Sequence, residues 1–115
     1  MKEIASKITY KGKDYKLVFN LNVMEQIQDE YKTLDNWGNL TDGQSGEVNI
    51  KALIFGFTAM INEGIEIDNE DNGTNDPLIS HKKVARMISE IGIENATKNM
   101  NELVVESSKS DEKNE

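Results

Sequence analysis

The sequence predicts an α+β fold: an N-terminal β-hairpin packed on a small bundle of about four helices. Three observations carry this. Residues 4–21 alternate apolar and polar side chains, later segments repeat apolar residues at helical spacing, and stretches rich in Gly, Asn and Asp separate them. A chain of 115 residues makes one ordinary domain that buries roughly two-thirds of its unfolded surface. That domain is expected over residues 1–106, with the polar run 107–115 as a disordered tail.

The hairpin comes first. Ile4, Ile8 and Tyr10 share one face, with Lys7, Thr9 and Lys11 on the other, and Tyr15, Leu17, Phe19 and Leu21 continue in phase. A two-residue turn at Gly12 and Lys13 pairs Tyr10 with Tyr15, Ile8 with Leu17 and Ile4 with Leu21, and sets Lys11 against Asp14. A lone hairpin is marginally stable, so helices must cover its apolar face.

The first helix is expected to start near Asn20 or Asn22, because "NVME" offers an asparagine cap with Glu25 three residues on. Val23, Ile27, Tyr31 and Leu34 form its stripe, and it ends near Lys32. "TLDNWGNLTDGQSG" reads as a long loop. Its Leu34, Trp37 and Leu40 either tuck the loop against the core or make Trp37 part of a partner-contacting lid.

"ALIFGFTAMI" is apolar nearly all round, which suits a helix through the middle of the fold. Ile50, Leu53, Ile54, Phe57 and Ile61 make its tightest stripe, Gly56 allows close approach of another element, and Asn62 to Gly64 end it. Ser80 caps a third helix with Val84, Met87, Ile88 and Ile91 inward, and Gly92 stops it so that Ile93 can fold back on Ile88. A fourth helix carries Ile93, Ala96, Met100, Leu103 and Val104.

Composition narrows the function. With no cysteine there is no disulfide framework and no thiolate nucleophile, and a zinc site would need the single histidine plus carboxylates. The N-terminus lacks a signal-like apolar core and no run approaches the roughly 20 apolar residues that span a bilayer, so the cytoplasm is the expected compartment. The net charge is −8, divided as +3 over residues 1–20 and −11 over the rest. Such a field repels phosphate backbones, so nucleic acid is not an expected partner.

Two clusters invite a chemical reading. From Asp68, "DNEDNG" places Glu70, Asn72, Gly73 and Thr74 where a calcium loop has its third, fifth, sixth and seventh positions. The twelfth, which requires a bidentate glutamate, is Ile79. Glu63, Glu66, Asp68, Glu70, Asp71 and Asp76 therefore read as an extended, solvated connector, with no metal and no cofactor expected. "HKKVAR" gathers His81, Lys82, Lys83 and Arg86 at a helix start, where cations oppose the macrodipole. Compensation can come from the acidic connector or from a partner bearing carboxylates. His81 has no cysteine, second histidine or partnered serine to work with, so an enzyme is not expected.

The succession of a lysine-flanked hairpin ending in "YKLVFNLNVMEQIQDEY", a loop, "NIKALIFGFTAMINEG", an acidic linker, "PLISHKKVARMISEIG" and a last amphipathic helix resembles the tail assembly chaperones of long-tailed, siphovirus-type bacteriophages and prophages, over roughly residues 4–106. The resemblance implies a protein that is absent from the finished virion. It binds the tape-measure protein, a very long helical chain, and keeps it soluble while the tail tube polymerises around it. The tail tube protein is then a possible second partner, and weak homo-oligomers are compatible. The family often has a longer frameshifted form, and the polar tail here looks like the short form. The expected partner surface is Met100, Leu103, Val104 and the off-stripe Val105 of the last helix, unless that stripe only closes the core. A minor connector protein of the tail and a host-directed phage regulator stay open as other classes.

Overall fold

The computed structural model describes residues 5–43 and 46–113. A two-stranded antiparallel hairpin, β1 (Ala5–Tyr10) and β2 (Lys13–Val18), precedes five helices: α1 (Leu21–Tyr31), α2 (Leu34–Thr41), α3 (Ile50–Asn72), α4 (His81–Ile91) and α5 (Ile93–Lys113). The α+β class holds, with one helix more than the sequence suggests.

The turn is Lys11–Gly12 rather than Gly12–Lys13, since Tyr10 pairs with Lys13. Both turn residues have positive φ, 51° and 78°, as a type I′ turn requires, and its twist matches that of the strands it joins. Ile8 therefore faces Tyr15, and Asp14 faces Thr9 rather than Lys11. In this register Asp14 accepts from Thr9 Oγ1 at 2.6 Å and from Lys7 Nζ at 3.3 Å. The slip leaves each side chain on its expected face, so Ile8, Tyr10, Tyr15 and Leu17 are still buried. Of the expected Ile4–Leu21 pair, Ile4 lies outside the described residues. Leu21 opens α1 and is 67% exposed.

Asn20, not Asn22, caps α1: its Oδ1 accepts from Val23 N at 3.2 Å. The expected loop after α1 contains α2. Thr33 caps it by accepting from Asn36 N at 2.9 Å. Trp37 is 3% exposed and donates its indole N–H to the Ala52 carbonyl at 3.1 Å. Burying one large ring with its polar atom satisfied outweighs the weak helix preference of Gly38, Asn36 and Asn39.

α3 runs on past Asn62 to Gly64, where the sequence expects it to end, and stops at Gly73, whose φ is +64°. The expected breakers are held by tertiary contacts. Asn62 accepts from Ile79 N at 2.7 Å and donates to Ile79 O at 3.3 Å. A Cβ on Gly64 would stand 2.8 Å from the Lys16 carbonyl oxygen, so the hairpin crosses α3 here and glycine is required for the crossing. At Gly56 the elements that approach are α2, through Trp37, and α5, through Met100.

Ser80 caps α4 by accepting from Lys83 N at 3.2 Å, with Val84, Met87 and Ile88 buried as expected. α5 continues to Lys113, past residue 107, and Ser107 is buried where a disordered tail is expected. The core centres on α3, which touches β2, α1, α2 and α4, with α5 lying against α4. Phe19, Phe57, Leu53, Met60 and Ile61 are its largest fully enclosed side chains. Among the described residues, no helix is long and apolar enough to cross a membrane.

Candidate functional site

The acidic segment is helical as far as Asn72 and only its end, with Asp76, is a loop. Residues 66–72 are the last turns of α3, which spaces Asp68 and Glu70 around a helix instead of folding them about a cation. Asp68 pairs with Lys16 at 2.8 Å. Glu63, expected in solvent, is buried and accepts from Asn20 Nδ2 at 2.7 Å and Asn22 Nδ2 at 3.0 Å. The second asparagine of the expected capping motif thus ties α1 to α3. Among the described residues no group of three or more His, Asp or Glu stands together as a metal cage.

The partner-binding residues expected from the sequence divide by burial. Trp37, Met100 and Leu103 are core residues, Val104 is half-buried, and Val105 is 50% exposed. What the molecule shows to solvent instead is an apolar groove along the N-terminal half of α3. Ile50, expected in the buried stripe, is 48% exposed, and Ile54 is half-buried. The inward side of this half of α3 is formed by Ala52, Leu53, Gly56 and Phe57. That rotation turns Ile50 and Ile54 toward the space beside α4.

One stretch of the groove, about 580 Å³, lies between α3 and the α4–α5 junction, with Ile88 and Ile93 among its walls. The next, about 390 Å³, is bordered by Lys51, His81 and Lys82. Ile50, Ile54 and Ala85 line both, so the two form one trough. The polar side chains of the larger stretch are Ser89, Glu94 and Asn95. Beside the trough, Tyr31 packs edge-on to Phe55 with ring centroids 5.5 Å apart, and Phe55 lies 6.4 Å from His81, which links α1, α3 and α4. Burial, and secondarily the charge of Glu30, pushes the Tyr31 hydroxyl above its ordinary value. That hydroxyl has no hydrogen-bond partner among the described residues.

A second cleft, about 410 Å³, separates β2 from residues 76–80 and contrasts with the trough. Its walls carry Lys13, Lys16, Asp68, Asp76 and Lys83, so charges of both signs meet within it. Lys13 and Lys83 stand 5.2 and 5.7 Å from the ring centre of Tyr15. The trough is therefore the one of the two built to bury apolar surface. An apolar trough walled by two helices suits a third, whose diameter with side chains is about 10–12 Å. Comparison with family models, curated proteins and solved structures finds no match.

Proposed function

We propose that this chain is a phage tail assembly chaperone that binds helical segments of the tape-measure protein and keeps them soluble until the tail tube encloses them. The observation that supports it is the trough of Ile50, Ile54, Ala85, Ile88 and Ile93 on a chain of net charge −8. A long amphipathic helix without its tube exposes an apolar stripe that aggregates, and an apolar groove covers such a stripe reversibly. The strong net charge keeps the complex dispersed. Repeated weak contacts along one long ligand hold by avidity and still yield to tube subunits. The work done is binding, with no bond made or broken. The surface lies on α3 and α4, with the off-stripe Val105 of α5 as the exposed remnant of the partner surface expected from the sequence.

Co-expression with the tape-measure protein of the same phage or prophage tests this. The expected result is recovery of soluble tape-measure protein that co-purifies with the chain, and loss of both in Ile50→Asp. A tape-measure protein that stays insoluble and unbound with the wild-type chain rejects the proposal, and so does finding the chain as a stoichiometric part of purified virions.

A further inference from the structure

Among the described residues, neither Lys51 nor Lys82 at the border of the trough is held in an ion pair. Lys51, His81 and Lys82 are exposed at its edge, and the ion pairs seen among the described residues are Lys7–Asp14 and Lys16–Asp68. Of the acidic segment upstream, Asp68 holds Lys16 and Asp76 lines the other cleft. Lys82 also sits in the first turn of α4, where the helix dipole disfavours a positive charge. A chain with 21 acidic residues against 13 basic ones thus keeps a local cationic border beside the apolar trough.

We propose that the trough selects an amphipathic helix of about three turns whose apolar stripe is bordered by carboxylates, which meet Lys51 from α3 and Lys82 from α4. The length follows from the 11 residues of α4 that form one wall. At about 1.5 Å per residue they span about 16 Å. The apolar residues supply the affinity and the two lysines supply the choice of partner. A second copy of this chain fits less well, because a two-fold contact across the trough sets Lys51 and Lys82 against the same cations of the other molecule. This inference rests on the binding role proposed above, and names the chemistry of the helix that role requires.

The test uses two fluorescent, stapled peptides of about 14 residues, since free helices this short are marginal in water. Both carry the same leucine stripe, one bordered by glutamates and the other by lysines. Anisotropy titrations at low salt are run with the full wild-type chain and with the doubly reversed variant Lys51→Glu/Lys82→Glu, with circular dichroism melting to confirm that this surface variant folds. The wild type is expected to bind the glutamate peptide about tenfold more tightly than the lysine peptide, and the variant to reverse that order. Equal binding of the two peptides, an unchanged order in the variant, or a dimer whose formation blocks both peptides overturns the proposal. If the peptide preference holds while the tape-measure protein fails to co-purify, the choice of an acid-bordered helix stands and the chaperone role falls. If the tape-measure protein co-purifies but the preference is missing, the reverse conclusion applies.

Discussion

The two halves of α3 have been treated in opposite ways. Toward its C-terminal end the hairpin lies directly on Gly64, and even a carboxylate, Glu63, is enclosed and bonded by Asn20 and Asn22. Toward its N-terminal end, Trp37 closes the inner side, yet the outer side leaves Ile50 and Ile54 facing solvent beside α4. A glutamate is inside and an isoleucine outside on one helix. Hydrophobicity sets which side chains gain from cover, while the neighbours that reach them decide which obtain it. The closed half holds the fold together, and the open half keeps apolar surface in reach of solvent.

The sharpest way to break this contrast is to open the closed side of the N-terminal half. Trp37→Ala removes the ring that fills the space at Gly56 and the hydrogen bond to Ala52. It is expected to cost about 3–5 kcal/mol in urea-induced unfolding. A loss under about 1 kcal/mol would show that the ring does not close the core.

The next largest effect belongs to the other half. Glu63→Ala strands the amides of Asn20 and Asn22 and is expected to destabilise by about 1–3 kcal/mol. Wild-type stability in this variant would mean that water replaces the carboxylate and that the α1–α3 link is dispensable.

Ile50→Asp sharpens the comparison from the open side. Residue 50 is the first residue of α3, where a carboxylate suits the helix dipole, so the unfolding free energy should move by less than about 0.5 kcal/mol. Binding of the tape-measure protein should nonetheless be lost, as read by co-purification. A large stability loss would place Ile50 in the core rather than on a working surface.

The smallest effect is local to the hairpin. Bonds from Thr9, then from Lys7, hold the Asp14 carboxyl below its ordinary value of 3.8. A depressed folded-state value means that its contribution is present above pH 3.8 and is lost as pH falls through the lower, folded-state value. Carboxyl NMR titration should put Asp14 below 3.8, and Thr9→Val should raise it. A midpoint at or above 3.8 in the wild type contradicts the observed register, in which Thr9 faces Asp14.

Much of the fold was legible wherever the signal is local. The alternation at Ile8, Tyr10, Tyr15 and Leu17 set the buried hairpin face, Ser80 announced α4, and Val84, Met87 and Ile88 marked its inner stripe. The errors arose where tertiary contacts overrode local preference. Gly38 and its asparagines disguised α2, which Trp37 anchors from a distance. Asn62 and Gly64 looked like a stop because their partners, Ile79 and Lys16, lie elsewhere in the chain. The hairpin turn slipped because Gly12 fits either position of a two-residue turn, and the Thr9–Asp14 bond decides between them only in three dimensions.

The trough was the least legible feature. Helical periodicity placed Ile50 and Ile54 on an apolar stripe, but periodicity says nothing about whether another element covers that stripe. Met100 and Leu103 were sought as surface for the converse reason: their cover, supplied by α3 and α4, is invisible in the sequence of α5 alone. The cluster "HKKVAR", whose cations the sequence leaves uncompensated, stands at the start of the helix that forms the trough's far wall.

The most direct test of the central claim is a map of amide chemical-shift changes in the isotope-labelled chain as a soluble tape-measure fragment is added. Changes concentrated on the first turns of α3, from Ile50 to Phe55, and on α4 from His81 to Ser89 are the predicted result. Changes confined to the hairpin or to α5 around Val105, with the trough silent, would contradict it.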